Sequence, residues 1–334
     1  MAPTAHPRVL LALLAAVIVV GIGVTRSSAQ AERLVLAFYY PWYGMDVWSD
    51  PALSDVPETP YNGSDPEVIA RHVRWAQAAG IDVLVSGWFG PVGENITETN
   101  LRQLLNTVRP DQMAVAALFE TDAVDFFPTL QSQQEALAYL LNTHARHPAY
   151  FRYRDRPVVV VWRPRTIWID GRQDNRDDGP AVQAWREILD AVDPAREAMW
   201  IAESENGVYL DVFDGLVSYN IAAAADPAVR NAANARVVRD YNARHGTQKV
   251  WIATAMPGYD DMGQLDRANR FARDREGGAY YRRSFEGAAA TNPDMIAISS
   301  FNEWVEGHQI EPSVTYGSLY LDLTRELSNL WKGR

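Results

Sequence analysis

The sequence predicts a single (β/α)8 TIM barrel, the α/β fold class that its length and its alternating pattern favour. Eight short apolar runs, most of them separated by amphipathic helices, extend over about 300 residues of the 334-residue chain. The competing fold is a doubly wound sheet, whose first strand leads into a glycine-rich phosphate loop. Here the first run is followed by the sequence YPWYG at residues 40–44, which is no such loop. We therefore expect one closed barrel.

The eight predicted strands are short apolar runs, several of them rich in β-branched residues, which favour the pleated sheet. The run VVVVW at residues 158–162 is the clearest of these. In chain order the predicted strands are residues 34–39, 81–86, 113–119, 158–162, 199–202, 216–219, 250–255 and 295–300.

Helices are predicted between the strands from cap residues and amphipathic runs. The first opens at residues 64–67, where Ser64, an early proline and Glu67 have the order of a capping box, and it closes at Gly80. The other predicted helices are residues 100–108, 133–144, 181–192, 231–244, 278–290 and 319–331. Because no internal repeat or low-complexity linker divides the chain, we expect one folded domain over residues 32–334.

The first 31 residues are predicted to be a signal peptide. Arg8 precedes 16 unbroken apolar residues, 9–24, and the sequence AQA at residues 29–31 matches a signal-peptidase site. A membrane-spanning helix needs about 20 apolar residues, so a signal segment is favoured over an uncleaved anchor, which is the alternative. We expect a secreted or cell-envelope protein, with membrane anchoring through residues 9–24 left open.

The composition excludes several classes of function. With 31 Lys and Arg against 42 Asp and Glu, the net charge is −11, and an acidic chain without a basic run lacks the footprint of a nucleic-acid binder. The absence of cysteine excludes disulfides, thiolate metal sites and a cysteine nucleophile. No motif indicates a cofactor, a metal or a protein partner. The 11 Trp and 15 Tyr instead suit a carbohydrate ligand.

Aromatic and carboxylate side chains dominate the positions where the predicted strands end. In a TIM barrel these positions form the functional face. For the tryptophans among them, packing in the core is as well supported by the sequence as substrate binding. The predicted substrate-binding residues are Tyr40, Trp42, Trp88, Glu120, Tyr259, Asn302, Trp304, His308, Gln309 and Glu311.

Two glutamates after the last strand, Glu303 and Glu306, are the predicted catalytic residues. Cleavage of a glycoside needs one protonated carboxyl and one ionised carboxylate. In a continuous strand, residues three apart point to opposite faces, so the two can face one sugar only if the chain turns between them. Asn302 and Gly307 make such a turn plausible, and Trp304 could supply an apolar wall that raises the pKa of one carboxyl.

At this point the sequence resembles glycoside hydrolase family 99, the endo-α-mannosidases and endo-α-mannanases. The similarity keeps its order along nearly all of the chain after residue 34. The segments that carry it are FYYPWYG at 38–44, SDPEVI at 64–69, VLVSGW at 83–88, HPAYFRY at 147–153, FDGL at 213–216, PGY at 257–259 and NEWVEGHQIEP at 302–312.

The resemblance implies a retaining mechanism without a covalent bond to the protein. Glu303 matches the residue thought to deprotonate the sugar 2-hydroxyl, which then attacks its own anomeric carbon. Glu306 matches the general acid that protonates the leaving oxygen and later activates water. The intermediate would be a 1,2-anhydro sugar, one of the substrate-assisted exceptions to the usual pattern. Glu120 and Tyr259 match cleft positions of the family.

The sequence departs from the family motif at two positions. Val305 stands where the family usually has histidine, and His308 stands where it usually has threonine. We expect His308 to contact the sugar or Glu306 and so to supply the hydrogen bond that valine cannot make. Two other functions stay open: a non-catalytic carbohydrate-binding barrel and a transglycosylase of polysaccharide assembly. The retention of both Glu303 and Glu306 counts against the first.

Overall fold

A computed structural model describes Met1 and residues 33–334, except residues 94, 124, 127, 170–171 and 176–177. Arg33–Arg334 forms one compact unit. The predicted signal segment, apart from Met1, lies outside the described residues. Within the part of the chain that is described, no helix has both the length and the apolar character needed to cross a membrane.

Eight parallel strands close into a barrel. Each strand pairs with the next along the chain. The last strand pairs with the first, with Met295 opposite Leu34, and this closes the barrel. The third strand pairs with the fourth up to Glu120 and Trp162 at their carboxyl ends. The strands are β1 (Leu34–Tyr39), β2 (Val83–Trp88), β3 (Ala114–Glu120), β4 (Arg156–Trp162), β5 (Met199–Glu203), β6 (Gly215–Val217), β7 (Val250–Ala255) and β8 (Met295–Ile298). The predicted TIM barrel is confirmed.

Seven α-helices surround the barrel in the described part of the chain. They are α1 (Pro66–Ala78), α2 (Ile96–Thr107), α3 (Leu130–Asn142), α4 (Asp178–Val192), α5 (Pro227–His245), α6 (Ala279–Ala290) and α7 (Leu319–Lys332). Between β5 and β6 a short 3-10 helix, Gly207–Asp211, takes the place of an α-helix. Two-residue strands Arg152–Tyr153, Tyr259–Asp260 and Ala272–Arg273 and the hairpin Thr166–Ile169 with Arg172–Asn175 lie in the connections.

Most helix starts differ from the predictions by one to four residues, and two of them show why. The cap of α1 is Asp65, whose carboxylate accepts the backbone N–H of Glu67, so Pro66 is the first helical residue and the predicted cap at Ser64 is one residue early. Helix α2 begins at Ile96, four residues before the predicted start at residue 100, because Asn95 caps it by accepting the N–H of Thr97.

The core has two layers because side chains alternate along each strand. Along β2, Val83 and Val85 point into the barrel, whereas Leu84 and Trp88 point outward to the helices. The inner layer is continued at the carboxyl ends of the strands by aromatic residues, among them Tyr40, and this arrangement places a polar and aromatic cleft on that face of the barrel.

Trp88 belongs to the outer layer, and the prediction that it binds substrate is wrong. Its ring is fully buried between β2 and α2, and its Nε1 donates to Glu98 at 2.8 Å. His144 lies 2.8 Å from the same carboxylate. Although burial opposes ionisation, hydrogen bonds from His144 and Trp88 lower the pKa of Glu98 to about 2. Trp88 therefore anchors a helix to the barrel wall.

Candidate active site

The chain reverses direction after β8, and this turn carries Glu303 and Glu306. The backbone N–H of Ser300 donates to the carbonyl of His308 at 3.0 Å, which closes the turn. Gly307 has a φ of 60°, and a Cβ there would lie 2.8 Å from a carbonyl oxygen of the neighbouring loop. Only glycine fits this left-handed position without strain. The turn that the two-glutamate hypothesis requires is therefore present.

Asn302 fixes this turn to the end of β1. Its side-chain oxygen accepts the backbone N–H of Tyr40 at 2.7 Å, and its amide group donates to the carbonyl of Tyr40 at 2.8 Å. Asn302 is buried, so both bonds are protected from water. This double contact sets the position of Glu303 relative to the aromatic residues that follow β1.

Glu303 lies at the base of the turn with two hydrogen-bond donors on one carboxylate oxygen. The hydroxyl of Tyr43 donates to Oε1 at 2.8 Å, and the backbone N–H of Val305 donates to it at 3.1 Å. Burial and the nearby charge of Glu306 outweigh these donors and raise the pKa of Glu303 to about 8. These surroundings therefore favour the protonated form of Glu303.

Glu306 is the more exposed carboxylate of the two, with 20% of its side chain accessible. Arg267 donates to its Oε1 at 2.7 Å, and Nε2 of His308 lies 3.0 Å from its Oε2. Burial opposes ionisation, but the contacts with His308 and Arg267 lower the pKa of Glu306 below its ordinary value. Of the two glutamates, Glu303 is therefore the one whose surroundings favour the protonated form, and Glu306 is the one whose surroundings favour the charged form.

Glu120 adds a third carboxyl to the cleft, at the end of β3. Burial and the nearby charge of Asp122 raise the pKa of Glu120 well above its ordinary value. Glu120 can therefore donate a hydrogen bond to a ligand as well as accept one.

Trp42 forms an aromatic wall beside Glu120. It is half-buried and stacks on Phe89, with ring centres 5.1 Å apart and planes 15° apart. A Cβ at Gly87 would lie 2.6 Å from the Trp42 ring, so the glycine leaves the space that this ring occupies. Such a ring suits the apolar face of a sugar.

Three tyrosines complete the floor of the cleft. The hydroxyl of Tyr40 donates to that of Tyr219 at 2.5 Å. Tyr259 stacks on Phe271 and on His308, with ring centres 4.4 Å and 5.6 Å away. Tyr219 meets the same histidine edge-on at 5.5 Å. His308 is therefore held between two tyrosines, beneath Glu306.

A cavity of about 570 Å³ lies at the ends of β4 and β5, on the same face of the barrel. Arg163, Glu203 and Tyr209 are among its lining residues. Burial raises the pKa of Glu203 to about 7. Most of its lining residues are polar or charged, and its size is one that holds small ligands.

Comparison with known proteins identifies the family. The family model described as Glycosyl hydrolase family 99 matches residues 49–331, which is most of the chain. The chain belongs to glycosyl hydrolase family 99. This protein is therefore a glycoside hydrolase.

Two curated relatives and one solved structure of family 99 resemble this hydrolase. Glycoprotein endo-alpha-1,2-mannosidase of Mus musculus is 26% identical, over 93% of this chain and 79% of its own. The Glycoprotein endo-alpha-1,2-mannosidase-like protein of Homo sapiens is 25% identical, over 88% of this chain and 74% of its own. The family 99 endo-alpha-mannosidase structure from Bacteroides thetaiotaomicron has a TM-score of 0.73 at 24% identity, covering 90% of this chain and 97% of that one. The last comparison supports the fold.

The predicted site residues of this family 99 hydrolase fall into two groups. Those that border the cleft are Tyr40, Trp42, Glu120, Tyr259, Glu303 and Glu306. The most deeply buried residues, each at most 3% exposed, are Trp88, Asn302, Trp304, His308, Gln309 and Glu311. Substrate binding by the first group stays a prediction. For the second group it stays a prediction too, except at Trp88, which is packed between the barrel wall and α2.

Trp304 and Glu311 form part of the support behind the site. Glu311 lies 3.0 Å from His72 and accepts the hydroxyl of Tyr61 at 2.9 Å. Nε1 of Trp304 is 3.3 Å from the same carboxylate. Gln309 is equally buried, with its amide nitrogen directed at the carboxylate of a neighbouring loop. These residues hold the turn that carries the two catalytic candidates.

Three residues of the site were not among the predicted site residues. Tyr43 lies in the motif after β1 and Tyr219 follows β6, so their positions at strand ends were the available signal. Arg267 lies in a long connection, 12 residues after the end of β7, and no motif marks it. Its contact with Glu306 depends on the folded path of that loop.

Replacing Trp88 with Phe should destabilise this hydrolase without changing its catalysis. The substitution removes the hydrogen bond to Glu98, which we expect to lower the free energy of unfolding by about 1–3 kcal/mol. Urea unfolding measures the loss. A change in KM on any cleaved glycan at low temperature, where the variant is folded, would instead place Trp88 in the binding site.

Proposed function

We propose that this family 99 hydrolase is a retaining, endo-acting enzyme that cleaves α-mannosidic or related linkages in a polysaccharide or glycan. The observation that carries the proposal is the pair Glu303 and Glu306 on one turn beside an aromatic cleft, with pKa values shifted in opposite directions. Similarity to endo-alpha-1,2-mannosidases supports mannose as the sugar. The reaction needs no cofactor.

In the first step the substrate would supply its own nucleophile. Glu303, as a carboxylate, removes the proton from the sugar 2-hydroxyl, and the oxygen attacks the anomeric carbon. The glycosidic C–O bond breaks as Glu306 gives its proton to the leaving oxygen. The product of this step is a 1,2-anhydro sugar, with no bond to the protein.

In the second step the ring of the anhydro sugar is opened by water. Glu306, now ionised, takes a proton from the water molecule that attacks the anomeric carbon. The bond from that carbon to the 2-oxygen breaks, and the oxygen regains its proton from Glu303. Two inversions at one carbon give net retention, and both glutamates return to their starting states.

The surroundings of the pair in the free protein favour the shared proton on Glu303, whereas the first step needs it on Glu306. Burial favours the neutral form of Glu303, and Arg267 favours the charged form of Glu306. Substrate binding must therefore change the surroundings of the pair before the chemistry begins. A sugar hydroxyl that hydrogen-bonds to Glu303 would favour the required ionised state.

The cavity beside the cleft supports endo-action. Its volume of about 570 Å³ provides space for further sugar units of a chain on the face of the barrel that carries the candidate catalytic pair. Arg163 and Glu203 line this space and can bind hydroxyl groups.

Incubation with a panel of α-mannans, β-mannans and α-glucans, with product lengths read by chromatography, tests the function. We expect oligosaccharides of intermediate length from an α-mannan, and none from the same digestion with the variant Glu306→Gln. Products longer than the substrate would indicate a transglycosylase instead. No product from any glycan, from folded protein, would support a carbohydrate-binding barrel.

His308 should act through Glu306, because it is buried and lies 3.0 Å from that carboxylate. We expect His308→Ala to lower kcat/KM roughly ten- to a hundredfold, the value of a buried hydrogen bond, with the loss mainly in kcat. Val305→His should not improve activity on the true substrate. Kinetics of both variants on the best α-mannan check this; a silent His308→Ala together with a more active Val305→His would refute it.

We further propose that the protein is exported, on the basis of the signal-like residues 1–31. Mass spectrometry of the protein recovered from the producing cells and from their medium tests this. A mature chain that begins at Glu32 supports cleavage, and an intact N-terminus in the membrane fraction supports the anchor instead.

A further inference from the structure

The connection after β7 places Arg267 in contact with Glu306, the more exposed of the two catalytic candidates. Nη1 of Arg267 is 2.7 Å from Glu306 Oε1, 3.2 Å from Asp261 Oδ2 and 3.4 Å from the hydroxyl of Tyr259. The arginine side chain is 37% exposed, so it lies at the edge of the cleft and not in the core. A single guanidinium thus joins the loop to the site.

The loop that holds Arg267 is itself fixed in place. Asp261 accepts the backbone N–H of Phe271 at 2.9 Å, which closes the loop at its base. A Cβ at Gly263 would lie 2.1 Å from the carbonyl of Ala52, so the loop packs directly on the connection after β1. The contact between Arg267 and Glu306 is therefore set by the fold of the loop and by Asp261.

The other groups that face Glu306 come from its own turn and from four further elements. His308 follows it in the same turn and lies beside its Oε2. Five more titratable groups interact electrostatically with the Glu306 carboxylate. They are Glu303 in the turn, Tyr40 after β1, Glu120 at the end of β3, Tyr219 after β6 and Tyr259 after β7. Among the described residues, Arg267 is the permanently charged side chain that contacts the Glu306 carboxylate directly.

An arginine on a general acid opposes the function of that acid. A guanidinium stays charged throughout the pH range of catalysis, so its contact favours the carboxylate form of Glu306 over the carboxyl form. The second step of the proposed reaction needs the carboxylate, but the first step needs the carboxyl. The ion pair therefore suits only half of the catalytic cycle.

We infer that Arg267 is a positioning residue that holds Glu306 ionised in the free enzyme, and that substrate binding breaks this ion pair so that Glu306 can take up the shared proton. The inference rests on the proposed function for its second half only, since the first half concerns the free protein. Exposure of the arginine gives it room to leave, and Asp261 remains as its partner when it does.

A titration of the carboxyl groups tests the first half without any catalysis. Protein labelled with 13C at the glutamate carboxyl carbon is titrated by NMR, and the two signals are assigned by their loss in Glu303→Gln and Glu306→Gln. We expect the midpoint of Glu306 to rise by about one pH unit in Arg267→Met, since a neighbouring opposite charge shifts a carboxyl by about 1–3 units. Arg267→Lys should restore most of the wild-type midpoint.

Arg270→Met is the matched control, because Arg270 lies in the same loop but donates to the carbonyl of Met262. It should leave the midpoint of Glu306 unchanged. An unchanged midpoint in folded Arg267→Met, or an equal rise in Arg270→Met, would overturn the inference.

The second half is tested by the pH dependence of kcat/KM on a glycan that the wild type cleaves. We expect the basic limb of Arg267→Met to move to higher pH, with the change mainly in kcat. A rise in KM alone would show that Arg267 binds the sugar, and would overturn the release step. A shifted NMR midpoint in a protein that cleaves no glycan would support the ion pair and contradict the proposed function.

Discussion

Glu303→Gln and Glu306→Gln are each expected to lower kcat on an α-mannan by two or more orders of magnitude, the usual loss for a general acid or base. The change removes the titrating group and keeps nearly all of the side-chain volume. Glu303 accepts hydrogen bonds from Tyr43 and Val305, and a glutamine oxygen can still accept them. Circular dichroism should therefore report a native fold in both variants.

Substrates with an activated aryl leaving group separate the two roles. Such a leaving group departs without protonation. On an α-mannoside with this leaving group, Glu306→Gln should therefore regain the first-step activity that it loses on α-mannan. Glu303→Gln should not, because the 2-hydroxyl still needs its base. Rescue of Glu303→Gln in place of Glu306→Gln would reverse the assignment. That outcome would agree with the free enzyme, where the surroundings of Glu303 favour its protonated form.

Glu303→Gln is also expected to stabilise the protein at alkaline pH. Burial and the charge of Glu306 raise the pKa of Glu303 from an ordinary 4.5 to about 8 in the folded state. A carboxyl with a raised folded pKa contributes full stability below pH 4.5, and this contribution is lost as the pH rises through 8. At about 1.4 kcal/mol per pKa unit, the loss is on the order of a few kcal/mol. Glutamine, which cannot ionise, avoids it.

Thermal unfolding at pH 5 and pH 9 measures this effect. We expect Glu303→Gln to raise the Tm relative to wild type at pH 9, and to change it much less at pH 5. The same substitution at exposed Glu58 is the control, and its effect on Tm should be alike at the two pH values. A Tm difference for Glu303→Gln that does not grow with pH would mean that Glu303 is ionised in the folded protein at neutral pH.

The barrel and the turn after β8 could be predicted from the sequence because their signals are local. Apolar runs give strands, and Asn302 with Gly307 indicates the reversal that the structure contains. Helix starts were less well predicted, because more than one nearby side chain can serve as the cap. At α1 the carboxylate of Asp65 takes this role in place of Ser64.

The error at Trp88 came from the direction of a side chain along its strand. Val83 and Val85 point into the barrel, so counting in twos places Gly87 inward and Trp88 outward. The same count along β3 places Glu120 inward, in agreement with its position in the cleft. Strand parity would therefore have separated the two residues, although both stand at a strand end.

Arg267 could not be predicted, because its role depends on contacts between distant parts of the chain. The loop reaches Glu306 because Asp261 closes its base and Gly263 packs on Ala52. Burial behind the site was unpredictable for a similar reason. Glu311 is in the catalytic motif, but its carboxylate turns away from the cleft to meet His72.

The configuration of the first product of α-mannan hydrolysis is the most direct test of the proposed reaction. Proton NMR during the first minutes of the reaction, before the sugar ring re-equilibrates, records the anomeric signal of the new reducing end. If Glu303 and Glu306 act through the 1,2-anhydro sugar, the α-anomer forms first and its signal decays slowly toward the equilibrium mixture. A β-anomer that forms first would show single inversion and would contradict the mechanism.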